Sequence, residues 1–367
     1  MKPIWRTPIQ TLSLAALLSP ATAPLVVILG LVAVSILSSW HSSVAGFEIV
    51  IDYSFDSAVL EDGAVSGFFN PSYTYADGST GLDRRIRMER AAAIVASNIS
   101  DELLPVLPGP DDTLVIRFAN PKDGGGHTIL NPVLPADTII IYAGGRNIGG
   151  ATLGLGGMGY VDVTWGSPEF IDAGQHRGEG PSGSMGQPAD EYGPWGGSVA
   201  FNTEIVVEFE GAPTNFDWHF GETTEGLDLH YDFLTVAIHE IGHVMGFGTA
   251  ESFDRYIDVG GTPLGADNSF IGPQAMAVWG GPVPLEGDSS FPLRSPSHWL
   301  AGLDEDSTVM DTTLRLGRRA SMQSVDWAAL ADIGWDVVLI PEPSGVGLLT
   351  LGLAGMMLSA SNRKPSR

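Results

Sequence analysis

The sequence predicts an α+β fold, on three observations. Short strand-like runs recur through the first half of the chain. Two stretches carry apolar residues at helical spacing. The residues between them are rich in glycine and proline, 47 and 25 of 367, which favours strands, turns and long loops over a helical bundle. The length suits one large domain or two modest ones. The chain is 44% hydrophobic, enough to bury a core, and no fixed-period repeat divides it.

The elements follow in order. Residues 47–53 (FEIVIDY) alternate and read as a first strand. Asp83 can cap a helix running to about Asn98, with Met88, Ala92, Val95 and Ile99 on one face. Residues 113–118 and 138–142 read as two more strands, and 198–202 with 204–209 as a further strand or hairpin. Residues 144–159 and 178–197 read as glycine-rich loops. Within the first, Gly154-Leu155-Gly156-Gly157-Met158-Gly159 satisfies the G-x-G-x-x-G spacing of dinucleotide sites. That motif needs a helix directly after it, and strand-like YVDVTW follows, so a flexible loop is the better reading.

Charge and cysteine content narrow the function. The chain has 18 basic and 43 acidic residues, a net charge of -25, and no cysteine. No basic patch is available for nucleic acid. The acidity fits a soluble extracellular protein, and its carboxylates could also hold calcium; solubility alone is the plainer explanation. Disulfides, a thiolate zinc site, a cysteine nucleophile and latency through a thiolate are all excluded.

Both ends read as targeting segments. Residues 1–45 combine Lys2 and Arg6, an apolar run at 25–37 and small residues ending Ser43-Val44-Ala45, the three parts of a secretory signal cleaved after Ala45; an uncleaved anchor is the alternative. The last segment, 341–367, starts with Pro341-Glu342-Pro343, continues with an apolar run at 346–358 and finishes with Arg363, Lys364 and Arg367. An apolar run followed by positive charge stops transfer, and this one is marginally short for a stable span. The three parts in order resemble a PEP-CTERM sorting tail of exported bacterial proteins. The resemblance implies transient inner-membrane contact, removal by an exosortase-type processing enzyme after the export machinery, and an envelope or extracellular location; an ordinary C-terminal anchor is the alternative. The body, 46–340, is expected outside the cytoplasm.

The chemistry concentrates in 228–245 (DLHYDFLTVAIHEIGHVM). Leu234, Ile238, Ile241 and Met245 repeat at helical spacing, so the whole stretch reads as a helix packed on a core. Inside it stands His239-Glu240-Ile241-Gly242-His243. Histidines four apart lie on one helical face and can bind one zinc ion, with Glu240 beside the first able to reach a metal-bound water. Gly246 can take the left-handed conformation that stops the helix and turns the chain back.

With Gly246 the motif is H-E-x-x-H-x-x-G, which resembles the metzincin clan of zinc endopeptidases. The sequence departs from the short pattern at Thr249, where a third histidine is expected. His298, in Ser297-His298-Trp299, with Met310 twelve residues on, resembles the leishmanolysin-like branch, where a long insertion precedes the third histidine. Carried over, His298 is the third ligand and Met310 the Met-turn residue. The resemblance covers roughly 228–337. It implies a metzincin-like catalytic domain with a twisted mixed sheet, an active-site helix and a loop-rich C-terminal subdomain, in which residues 326–335 form a short closing helix.

Glu251, Asp254 and Asp258 are alternative ligands. His219 and His230 read as loop residues or substrate contacts. His127 and His176 sit in glycine-rich loops and have no assigned role. Three neutral imidazoles leave zinc with an open position, where a bound water has its pKa lowered to about 7. Glu240 takes its proton and passes it to the leaving amine of a protein or peptide substrate. The strand Gly197, Ser198, Val199, Ala200, Phe201 could be the edge that binds substrate as an added strand; an ordinary sheet strand is the alternative. Two rival readings stand beside the peptidase: an inactive envelope or matrix protein on a degenerate peptidase fold, motivated by Thr249, and an adhesion module stabilised by Ca2+, motivated by Asp304, Glu305 and Asp306.

Overall fold

The computed structural model describes residues 46–56, 58–59, 65–179, 192–258, 268–286, 296–303 and 308–338. The expected signal segment, the C-terminal tail and the Asp304–Glu305–Asp306 acidic trio lie outside these residues, as does most of the expected 178–197 loop.

The chain runs β1 (Glu48–Asp52), β2 (Ala58–Val59), β3 (Val65–Ser66), α1 (Gly81–Ala96), β4 (Thr113–Ala119), β5 (Gly126–Leu130), β6 (Thr138–Arg146), β7 (Gly154–Met158), β8 (Tyr160–Trp165), α2 (Pro168–His176) and β9 (Gly196–Asn202). It continues through β10 (Ile205–Phe209), β11 (Ala212–His219), β12 (His230–Asp232), α3 (Phe233–Val244), α4 (Glu251–Asp254), β13 (Ile257–Asp258), β14 (Ser269–Phe270), α5 (Pro273–Trp279), β15 (Val283–Pro284) and α6 (Ser324–Asp332). The architecture is mixed α+β, with several small sheets around one larger one. Among the described residues no helix is long and apolar enough to cross a membrane.

The larger sheet has the order β1-β6-β9-β7. β1, β6 and β9 are parallel, and β7 closes one edge antiparallel to β9. Parallel strands in a sheet are usually covered on their faces and read as β-branched runs, as TIII does in β6. Ile139 and Ile141 of β6 and Val199 and Phe201 of β9 are fully buried. They share one core with Met88, Ala92 and Val95 of α1 and with Phe233, Val236 and Ile241 of α3. The Phe201 ring lies 4.6 Å from that of Phe233. Burying an aromatic or aliphatic side chain of this size stabilises by about 1.5–3 kcal/mol, so this core fixes α3 against the sheet. A second sheet, β5-β4-β8, carries its own smaller cluster around Leu114, Ile116 and Phe118.

Several sequence expectations change. The N-cap of α1 is Thr80; Asp83 is the third helical residue, and its carboxylate accepts the Thr80 N–H at 2.8 Å, which closes a capping box. The helix expected over 228–245 begins only at Phe233, because Asp232 caps it and His230–Asp232 pairs with β11 as a strand. Residues 144–159 are a loop only over 147–153 and at Gly159: β6 extends to Arg146, and Gly154–Met158 of the G-x-G-x-x-G stretch is strand β7. β9 and β10 do not form a hairpin; β10 pairs with β11, whose polar sequence APTNFDWH hides a strand.

Candidate metal centre

Helix α3 is anchored at both ends. At its start the Asp232 carboxylate accepts the Thr235 N–H at 3.1 Å and the Thr235 hydroxyl at 2.7 Å, and pairs with Arg319 at 2.7 Å. At its end Gly246, at φ +98°, turns the chain back. Phe247 N–H donates to Gly242 O at 3.0 Å and Gly246 N–H to His243 O at 3.1 Å, the paired bonds of a Schellman motif. The Thr249 hydroxyl donates to the same His243 carbonyl at 2.6 Å. Thr249 therefore caps the helix and leaves the ligand role to another residue.

The turn also orients His243, a candidate ligand. It brings Phe247 O to 2.8 Å from His243 Nδ1. Val309 O stands 2.7 Å from His239 Nδ1. A carbonyl only accepts, so both Nδ1 atoms carry the proton and both Nε2 atoms present lone pairs. His298 Nδ1 is 3.0 Å from Ser297 Oγ. The three Nε2 atoms face one another at 3.2 Å (239–298), 3.2 Å (239–243) and 3.1 Å (243–298). The His239 and His243 lone pairs thus converge on one point with His298 Nε2, and a cation among them relieves their repulsion. Zinc–imidazole bonds of 2.0–2.1 Å at tetrahedral angles put the nitrogens about 3.3–3.4 Å apart, so the triangle fits a zinc ion.

Electrostatics agree with the geometry. Burial pushes the His239 imidazole down to about 4. Burial, with the neighbouring imidazoles, takes His243 to about 3 and His298 to about 2. All three are neutral at physiological pH, the form a metal requires. Among the described residues this is the one group of three or more His, Asp or Glu side chains that could hold a metal. Glu251, Asp254 and Asp258 are exposed and outside it.

Glu240 is 4% exposed, and burial raises its carboxyl to about 8, opposed by the Gly156 N–H that donates to it. Strand β7 crosses directly over this stretch of α3. A Cβ on Gly154 would lie 2.8 Å from Glu240 Cγ and Cδ, and one on Gly156 would overlap the Glu240 carbonyl. The alternate glycines of the G-x-G stretch thus let strand and helix touch. From the other side, a Cβ on Gly242 would lie 2.6 Å from Met310 Sδ. Met310 is fully buried against the two-histidine turn of α3.

The expected substrate strand is a correction. Gly197, Ser198, Val199, Ala200 and Phe201 lie in β9, which is inside the sheet and paired on both sides, with β6 and with β7. No further strand can add to it. β7 is the edge strand on the site's side.

The remaining described histidines stay apart from the centre. His219 Nε2 contacts Thr223 O at 2.8 Å, and His176 pairs with Asp172 at 3.0 Å. The His127 ring packs on Phe55, and His230 Nδ1 is buried without a partner. Sequence reasoning missed Asp326, which is fully buried and accepts the Trp299 Nε1–H at 2.7 Å. In the sequence it looks like any acidic residue in a helix's first turn. Compared with protein-family models, curated proteins and solved structures, the chain has no significant match.

Proposed function

We propose that the chain is an exported zinc-dependent endopeptidase, with His239, His243 and His298 holding the ion. The observation that carries this reading is the triangle of three Nε2 atoms with Glu240 beside it on the helix that carries two of the histidines. A zinc ion bound there supplies a Lewis acid and lowers the pKa of water at the site. Glu240 takes a proton from the attacking water and gives it to the leaving amine. Its place against β7, with the Gly156 N–H on the carboxyl, supports that role by orienting the carboxyl group.

The open edge of β7 supports action on extended segments, since a peptide can add there as a strand beside the helix that carries Glu240. This replaces the β9 assignment. The motif, the Gly246 turn, the distant His298 and the buried Met310 support a metzincin-like domain of the leishmanolysin-like branch. Thr249, the reason for suspecting a degenerate site, has a structural task of its own. Export, and processing of the 341–367 tail by an exosortase-type enzyme, rest on the sequence pattern at the two ends.

The test is bound zinc by elemental analysis and hydrolysis of an unstructured protein, for the wild type, Glu240→Ala and His298→Ala. The reading expects about one zinc per chain, retained by Glu240→Ala without activity and lost by His298→Ala. A wild type that cleaves without any bound metal would refute it.

A further inference from the structure

His298 comes from a loop segment, 55 residues beyond His243, yet it must meet two histidines fixed on a helix. Its backbone neighbour Trp299 is held at two points. Trp299 N–H donates to Met310 O at 3.0 Å, and the indole Nε1–H donates to Asp326 Oδ1 at 2.7 Å. The same carboxylate accepts the Gln323 N–H at 2.7 Å and the backbone N–H groups of Val309 and Met310. Asp326, Trp299, Val309 and Met310 are all fully buried. One carboxylate therefore joins three parts: α6, the segment that carries His298, and the segment whose Val309 carbonyl orients His239.

We infer that Asp326 is the positioning residue of the metal centre, holding Trp299 and the Val309–Met310 segment in register so that His298 Nε2 closes the triangle. The inference rests on the metal reading above. A carboxylate suits the task because it presents only acceptors to four convergent N–H groups. An amide in its place turns N–H against N–H.

Asp332 supplies a control on the same helix. It is 5% exposed and accepts the Gln274 and Ala275 N–H groups at 2.8 Å, which caps α5 away from the histidines. The experiment uses the full chain as wild type, Asp326→Asn, Trp299→Phe, the double variant and Asp332→Asn. Three quantities are measured: zinc affinity by chelator competition, the visible spectrum after loading with Co(II), and melting of the metal-free protein. Asp326→Asn and Trp299→Phe are each expected to weaken zinc binding about 10–100-fold, as loss of a ligand's supporting partner does, and to change the Co(II) spectrum. The double variant is expected to be no weaker than the worse single one, because the bond that Trp299→Phe removes is one of those that Asp326→Asn disturbs. Asp332→Asn is expected to melt earlier yet keep zinc affinity within about twofold.

Asp326→Asn that melts earlier but binds zinc as the wild type does would overturn the inference and leave only a structural role. If Asp326→Asn does not fold, Trp299→Phe decides by the same criterion. A wild type that takes up no zinc would overturn the metal reading together with this inference, whereas unchanged affinity in variants of a zinc-binding wild type overturns the inference alone.

Discussion

Gly156→Ala tests whether β7 must lie against the helix of the metal centre. The added methyl would overlap the Glu240 carbonyl oxygen and stand 2.8 and 2.9 Å from the Glu240 carbonyl carbon and Cα. All three are backbone atoms of a buried helix, so no rotamer change relieves the overlap. Strand β7 must retreat by roughly 1 Å to restore ordinary contact. Overpacking of this kind costs about 1–3 kcal/mol, and one or two weakened ladder bonds to β9 add about 1 kcal/mol each, for about 2–5 kcal/mol in all. Retreat also shifts the Gly156 N–H away from the Glu240 carboxyl. A displacement near 1 Å in a catalytic constellation costs about 100-fold in rate. Gly157→Ala is the matched control: it faces the other side of the same strand, and a Cβ there meets nothing within 4 Å. The assay is the urea midpoint with zinc content and hydrolysis for both variants. Gly156→Ala behaving like Gly157→Ala would refute the contact between β7 and the site.

Other outcomes follow from the same structure. Without metal, the protein is expected to lose stability as pH falls below about 6.5, because His239, His243 and His298 have depressed pKa values of about 4, 3 and 2 and stay neutral while the unfolded chain takes up protons. Glu240, raised to about 8, acts the other way: its contribution is present below about 4.5 and is lost as pH rises towards 8. Near pH 5.5 the unfolded chain holds about two protons more at these four sites, a slope of about 2.5 kcal/mol per pH unit. Urea midpoints in chelator at pH 7, 6 and 5 measure this against a variant with all three histidines replaced; a wild type no steeper than that variant contradicts it. Thr249→Val removes one hydrogen bond to His243 O and should cost about 1 kcal/mol with zinc content unchanged, whereas loss of zinc would make Thr249 part of the centre. Arg319→Met leaves the Asp232 carboxylate unpaired at the start of α3. It should cost about 2–3 kcal/mol by thermal melting, below the figure for a fully buried pair because Arg319 is partly exposed; an unchanged melting temperature contradicts that.

The sequence made the helix-borne part of the site readable because helical spacing is local. His239, Glu240 and His243 are fixed relative to one another by one turn of α3, and Gly246 sits where only a left-handed residue turns the chain back. His298 is legible only through the family resemblance, since nothing local links it to a helix 55 residues earlier. What failed to show was tertiary. The glycines of β7 look like a loop by composition, and the close approach of Glu240 explains Gly154 and Gly156. β9 alternates like any strand, and its interior place depends on β7 folding back on it. Asp326 reads as a helix-start carboxylate, as its bond from Gln323 N–H makes it, but its donors Trp299, Val309 and Met310 come from segments distant in sequence.

The most direct test is bound zinc measured together with proteolysis in the purified protein, for the wild type, His298→Ala and Glu240→Ala. The account predicts about one zinc per chain and cleavage in the wild type, loss of zinc and activity in His298→Ala, and zinc without cleavage in Glu240→Ala. A His298→Ala protein that keeps both zinc and activity would contradict the three-histidine centre.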